Sequence, residues 1–81
     1  MRIKPLRNDI KQFLTEHQLV KKFNKQSVLF ENNFHHPSLN TELLEPKDLR
    51  IYSFRIDKKY RAIFIIIGGE AEVVAINKHY Q

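Results

Sequence analysis

Arg50–Tyr80, RIYSFRIDKKYRAIFIIIGGEAEVVAINKHY, is the stretch whose reading decides the fold. Ile51–Ile56 (IYSFRI) is rich in β-branched and aromatic residues, which suit a pleated, half-buried strand. Asp57-Lys58-Lys59 is a polar turn, and Tyr60–Ile67 (YRAIFIII) is the most apolar run of the chain. Gly68-Gly69 marks the next reversal, because both residues are free to take positive φ. Ala71–Asn77 (AEVVAIN) then completes three consecutive antiparallel strands. Within these strands and at their end stand Arg55, Arg61, His79 and Tyr80. Arg61 is the most telling, since a guanidinium between Tyr60 and Ala-Ile-Phe-Ile needs a partner or a function.

Working outward, the segments before this stretch change period. Asn8 or Asp9 is a good N-cap, and Ile10, Phe13 and Leu14 follow at helical spacing, which predicts a first helix over about Asp9–His17. Leu19, Val20, Phe23, Ser27, Phe30 and Phe34 recur at intervals of three and four, an apolar stripe along a second helix. Phe23, Phe30 and Phe34 are expected in the core, with room for one to face a partner. Pro37 disfavours helix at His36 and ends the element. Adjacent His35 and His36 diverge on a helix or a strand, so a solvated helix end accounts for them better than a metal site. Asn40–Pro46 reads as a loop or short helical turn, with Leu43 and Leu44 tucked under the sheet. Arg2–Leu6 is a possible edge strand, because Pro5 is tolerated only at an edge or a strand end. The fold class is therefore α+β: two N-terminal helices packed on one face of a twisted antiparallel sheet of three to four strands. One domain spans the 81 residues, with a helical hairpin over about 9–34 and a β-meander over about 50–80.

Composition narrows the partners. The chain has 14 Lys and Arg against 9 Asp and Glu, a net charge of +5, which favours a polyanionic or acidic partner. It has no Cys, hence neither disulfides nor a Cys-based zinc site, which fits a reducing compartment. No segment reaches the roughly 18 apolar residues of a membrane span, and MRIKPLRNDIKQFL is too charged for a secretory signal. A cytoplasmic protein with no membrane partner is expected.

The two hairpins determine which charged side chains can share a face. A three-residue loop, Asp57–Lys59, pairs Arg55 directly with Arg61, whereas a two-residue loop, Lys58-Lys59, separates them. A Gly68-Gly69-Glu70 loop pairs Arg61 with Asn77 and brings His79 to the Arg61 face. A two-residue Gly68-Gly69 loop brings Lys78 and Tyr80 there instead. Bulges can blur either register. Facing arginines repel unless an anion lies between them, and phosphate fits the planar guanidinium fork. Alternatively, Arg55 pairs with Asp57 or Glu72 across the sheet. A basic pair near His79 and Tyr80 is close to the minimum for RNA cleavage: a proton leaves the 2′-hydroxyl, the phosphorane is neutralised, and the leaving 5′-oxygen gains a proton.

The run HPSLNTELLEPKDLRIYSFRIDKKYRAIFIII…AEVVAINKHYQ resembles the RelE/ParE superfamily of type II toxin–antitoxin toxins. "HPSL", "YSFRI", "YRAIF" and the closing "HY" carry the likeness, most specifically over about Leu49–Tyr80. The resemblance implies helices packed on a twisted antiparallel sheet. It also implies the activity of RelE-, YoeB- and HigB-like members: a metal-independent endoribonuclease, without cofactor, that cuts mRNA on the ribosome. Such toxins are neutralised by a cognate antitoxin in a hetero-oligomer. By this resemblance Arg61 stabilises the phosphate and Arg55 is the basic residue of the preceding strand. Ser53 stands where some members have a further lysine, and His79 and Tyr80 match the terminal His-Tyr of YoeB-like toxins. In that branch a glutamate before the first meander strand acts as a base, and the resemblance places Glu42 there, with Glu45 as competitor. Lys47, Lys58, Lys59 and Lys78 are the expected RNA-backbone contacts. ParE-like members share the fold but inhibit DNA gyrase, and a degenerate toxin would only bind antitoxin.

Overall fold

The computed structural model describes residues 1–78, in which two helices precede a four-stranded antiparallel sheet. The expectations for His79 and Tyr80 fall outside the described residues. No helix among those described is long and apolar enough to cross a membrane.

Helix α1 (Asn8–Glu16) buries Ile10 and Leu14. Neither Asn8 nor Asp9 caps it: Arg7 is the boundary residue, and no side chain caps the end. The Asp9 carboxylate is instead taken by the Arg7 guanidinium, in two bonds of 3.1 and 3.0 Å. Gln18, at a φ of 56°, turns the chain into helix α2 (Val20–Asn32). The inner face of α2 carries Phe23, Gln26 and Phe30, whereas Val20 is exposed. Gln26 sits inside because its amide donates to the carbonyls of Ser38 and Arg55, at 3.1 and 2.8 Å. A buried polar group with its donors bonded is tolerated. Asn33 is extended, so the helix stops before Phe34, which is partly buried against the core.

The strands are β1 (Glu42–Leu43), β2 (Tyr52–Arg55), β3 (Tyr60–Ile67) and β4 (Glu70–Lys78), in that spatial order. The fourth strand thus comes from the segment expected as a loop or helical turn. The Arg2–Leu6 segment contributes only a parallel bridge, Ile3 to Ala71, at the β4 edge. Pro5 has no N–H with which to extend that pairing. Leu43 and Leu44 are half-exposed rather than tucked in: they lie along the edge of the sheet, where Leu43 is opposite Tyr52 and the Leu44 N–H donates to the Ile51 carbonyl at 2.8 Å. Leu39, which ends a short 3-10 helix (Pro37–Leu39), is fully buried instead.

Phe30 joins the two layers. Its ring centroid lies 5.1 Å from that of Phe54 on β2 and 5.2 Å from that of Phe64 on β3. Edge-on and tilted aromatic contacts of this kind add to the stabilisation that area burial supplies.

Both hairpins resolve the register. Arg55 faces Arg61 across the Asp57–Lys59 loop, the three-residue alternative. The second turn is the two-residue Gly68-Gly69, with φ of 58° and 78°, yet Arg61 still faces Asn77. A bulge reconciles the two: Ile63 pairs with Ala75 and Phe64 with Val73, leaving Val74 as an extra residue in β4. Arg7 donates to the freed Val74 carbonyl at 3.0 Å.

Candidate functional site

Strand alternation places Phe54, Ala62, Phe64 and Ile76 in the core beneath the helices. Their sequence neighbours point to the other face. There the register aligns two rows: Arg55, Arg61 and Asn77 across β2, β3 and β4, and Glu42, Ser53, Ile63 and Ala75 across all four strands. The expected candidates Arg55, Arg61 and Glu42 therefore share one face.

The two arginines differ sharply. Arg55 is exposed, and among the described residues it makes no ion pair. Arg61 is 5% exposed. Its Nε donates to Ser53 Oγ at 2.9 Å and its Nη2 to the Ser53 carbonyl at 3.2 Å and to the Asn40 carbonyl. Asn40 follows the first 3-10 helix in a left-handed conformation, φ 44°, which Asn adopts more readily than most residues. Facing arginines are thus accommodated by geometry: Arg61 turns toward Ser53 and Asn40, and Arg55 stays in solvent. Burial lowers the Arg61 pKa from its ordinary value, Glu42 opposes the shift, and Arg55 adds to it. The Nη1 group of Arg61 makes no hydrogen bond among the described residues.

Neither acid suggested as a partner for Arg55 pairs with it. Asp57 Oδ1 accepts from the backbone N–H of Lys59 and of Tyr60, each at 2.8 Å, while Oδ2 meets Lys22 of α2 at 3.1 Å. Glu72 is on β4, opposite Ile65, and approaches Lys4 at 4.0 Å.

Glu42 is exposed on the edge strand opposite Ser53, and its charge reaches Arg61. Glu45 is exposed in the connection after β1 and has no sheet partner. Of the expected RNA contacts, Lys58 and Lys59 occupy the β2–β3 turn beside Arg55, and Lys78 faces Tyr60 at the same end of the sheet. Lys47 is exposed in a second 3-10 helix (Lys47–Leu49), before β2 begins, and so lies at the opposite end. His36 does not approach a metal set: its Nδ1 accepts from the Ser38 N–H at 3.1 Å, and the described residues hold no cluster of three or more potential ligands.

Two participants were not among the candidates. Ser53 appeared only as a missing lysine, although alternation already puts it on the Arg55 face. Asn40 contributes a backbone carbonyl, which no residue type announces. A scan of the chain against protein-family models finds no match, and a search of curated proteins finds none either.

Proposed function

We propose that the protein is the toxin of a type II toxin–antitoxin pair, a metal-independent endoribonuclease that cleaves mRNA on the ribosome. The observation that supports this most is the facing pair Arg55 and Arg61 on a sheet face that also carries Glu42. In the proposed reaction Glu42 accepts the 2′-hydroxyl proton, and the 2′-oxygen attacks the adjacent phosphorus. Arg55 and the Nη1 edge of Arg61 neutralise the phosphorane. The P–O5′ bond then breaks, giving a 2′,3′-cyclic phosphate and a 5′-hydroxyl, with His79 or Tyr80 returning the proton to the leaving oxygen. Lys58, Lys59 and Lys78 hold the RNA backbone nearby, and Lys47 a more distant part of it. An acidic antitoxin segment lying over Arg55 and Arg61 would neutralise the site in a hetero-oligomer, and the cytoplasm is where both substrate and partner are found.

The internal bonding of Arg61 favours a second reading. A guanidinium held by Ser53 and Asn40 has a structural role without any substrate. The face would then serve only to bind, whether an antitoxin or, as in ParE-like toxins, DNA gyrase. Adding purified protein to a translating extract with a reporter mRNA separates the two. The ribonuclease reading expects discrete cuts with 2′,3′-cyclic phosphate ends that are lost in Glu42→Gln and Arg55→Ala. An intact message in the presence of folded wild-type protein supports the binding-only reading.

A further inference from the structure

The C-terminal end of α1 and the adjoining ends of β3 and β4 enclose a cleft of about 510 Å³, lined by Phe13, His17, Tyr60, Ile76, Asn77 and Lys78. That volume is within the roughly 300–1,000 Å³ typical of small-ligand sites. Its most distinctive feature is a set of three rings. His17 stacks on Phe13 with centroids 3.9 Å apart and planes 16° from parallel. Tyr60 stands edge-on to both, 5.6 Å from His17 and 5.9 Å from Phe13. The orientation of His17 is fixed by its Nδ1, which donates to the Phe13 carbonyl at 3.0 Å. A ring serving only to fill the core would be buried, yet His17 is exposed while Phe13 and Tyr60 are half-buried. A pre-oriented aromatic platform therefore meets solvent at this end of the sheet.

Its surroundings are cationic and polar. Lys78 lines the cleft, and the exposed Lys58 and Lys59 immediately precede Tyr60. Tyr60, Ile76 and Lys78 place the cleft on the helix face of the sheet, opposite the Arg55–Arg61–Asn77 row, and Asn77, the register partner of Arg61, is where the two meet at this end of the sheet. Rings that offer a π-face beside cations that track a backbone are the combination that binds single-stranded nucleic acid.

We infer that this cleft is a base-binding subsite for single-stranded RNA: one nucleobase stacks on the His17 platform, with its phosphate on Lys78. The inference rests on the ribonuclease reading for its choice of RNA. It adds that a nucleotide of the same RNA strand, passing round the end of the sheet from the arginine row to the helix face, is held by its base. The backbone charges beyond that row thus position the strand, while ring stacking anchors it in register.

The test is a backbone-amide NMR titration of the intact protein with 2′-O-methyl A-A-A, a trinucleotide without the 2′-hydroxyl needed for cleavage. Shifts should include His17, Tyr60 and Lys78. His17→Ala should weaken binding about tenfold or more, the loss expected for one base–ring stack, and His17→Phe should restore most of it. An abasic trinucleotide of the same length should fail to shift His17. Shifts confined to the Arg55–Arg61 region, with His17→Ala binding as wild type does, would overturn the cleft while leaving the ribonuclease reading in place. No shift at millimolar trinucleotide would also overturn it, and the cleavage assay in the translating extract judges the enzymatic reading separately.

Discussion

Arg61 on β3 and Ser53 on β2 are joined across the sheet by a 2.9 Å hydrogen bond from Nε to Oγ, and both residues are buried. Ser53→Ala would leave a buried guanidinium N–H without its acceptor, at a cost of about 1–3 kcal/mol. Urea unfolding of the two proteins measures it. The same relationship complicates Arg61→Ala as a probe of chemistry, because that change removes a structural tie and a candidate catalytic group together. Arg61→Ala should therefore lower the unfolding midpoint, and combining it with Ser53→Ala should cost less than the sum of the two single changes.

Arg55 offers the cleaner experiment. It is exposed and makes no ion pair among the described residues, so Arg55→Ala should change stability by no more than about 0.5 kcal/mol. If Arg55 stabilises the phosphorane, the same variant should cut RNA about a hundredfold more slowly, since removing one such donor costs on that scale. Circular dichroism melts and cleavage rates on one preparation test both halves.

The β2–β3 turn should be acid-sensitive. Burial tends to raise the Asp57 pKa, but the N–H groups of Lys59 and Tyr60 and the Lys22 ammonium outweigh it, and the net shift is downward from 3.8. A carboxylate whose folded pKa is lowered contributes stability that is present above its unfolded value and lost as pH falls through the folded one. At pH 7 Asp57→Ala should cost about 1.5–3 kcal/mol, the range for hydrogen bonds to a charged group. The gap between wild type and variant should narrow as pH drops below 3.8, as unfolding midpoints across a pH series would show.

The Gly68-Gly69 turn predicts a purely backbone effect. Both residues have positive φ, and a Cβ at either position would meet nothing within 4 Å. Gly68→Ala should therefore cost about 1–2 kcal/mol through left-handed strain alone. Gly68→Asn should cost less, because Asn tolerates that region better. Denaturant midpoints of the two variants rank them.

Much of this architecture was legible in the sequence because its signals are local. The turn residues of the meander and the spacing of Phe23 and Phe30 fixed the strands and the second helix without reference to tertiary contacts. The Arg55–Arg61 pairing was one of two stated alternatives, and only the folded hairpin selects it. The β3–β4 register was less accessible. A two-residue glycine turn and an Arg61–Asn77 pairing exclude each other in a regular ladder, and the Val74 bulge that reconciles them leaves no mark in residue types. Strand β1 was missed because Glu42-Leu43 is too short to show alternation, and its pairing depends on β2 lying alongside. The burial of Arg61 was hidden for a similar reason: its acceptor at Asn40 is a carbonyl placed by a left-handed residue twenty-one positions earlier. Gln26 took an inner position on α2 because two distant carbonyls, of Ser38 and Arg55, lie within its reach.

The central claim is that the Arg55–Arg61 face cleaves RNA, and primer extension on cellular mRNA after brief induction tests it most directly. Wild type, Arg55→Ala and Arg61→Lys should be compared at matched, folded protein levels. The account predicts discrete cuts within translated codons for wild type, their loss in Arg55→Ala, and weakened cutting in Arg61→Lys. Cuts of equal strength from wild type and folded Arg55→Ala, or growth arrest with every message intact, would contradict it.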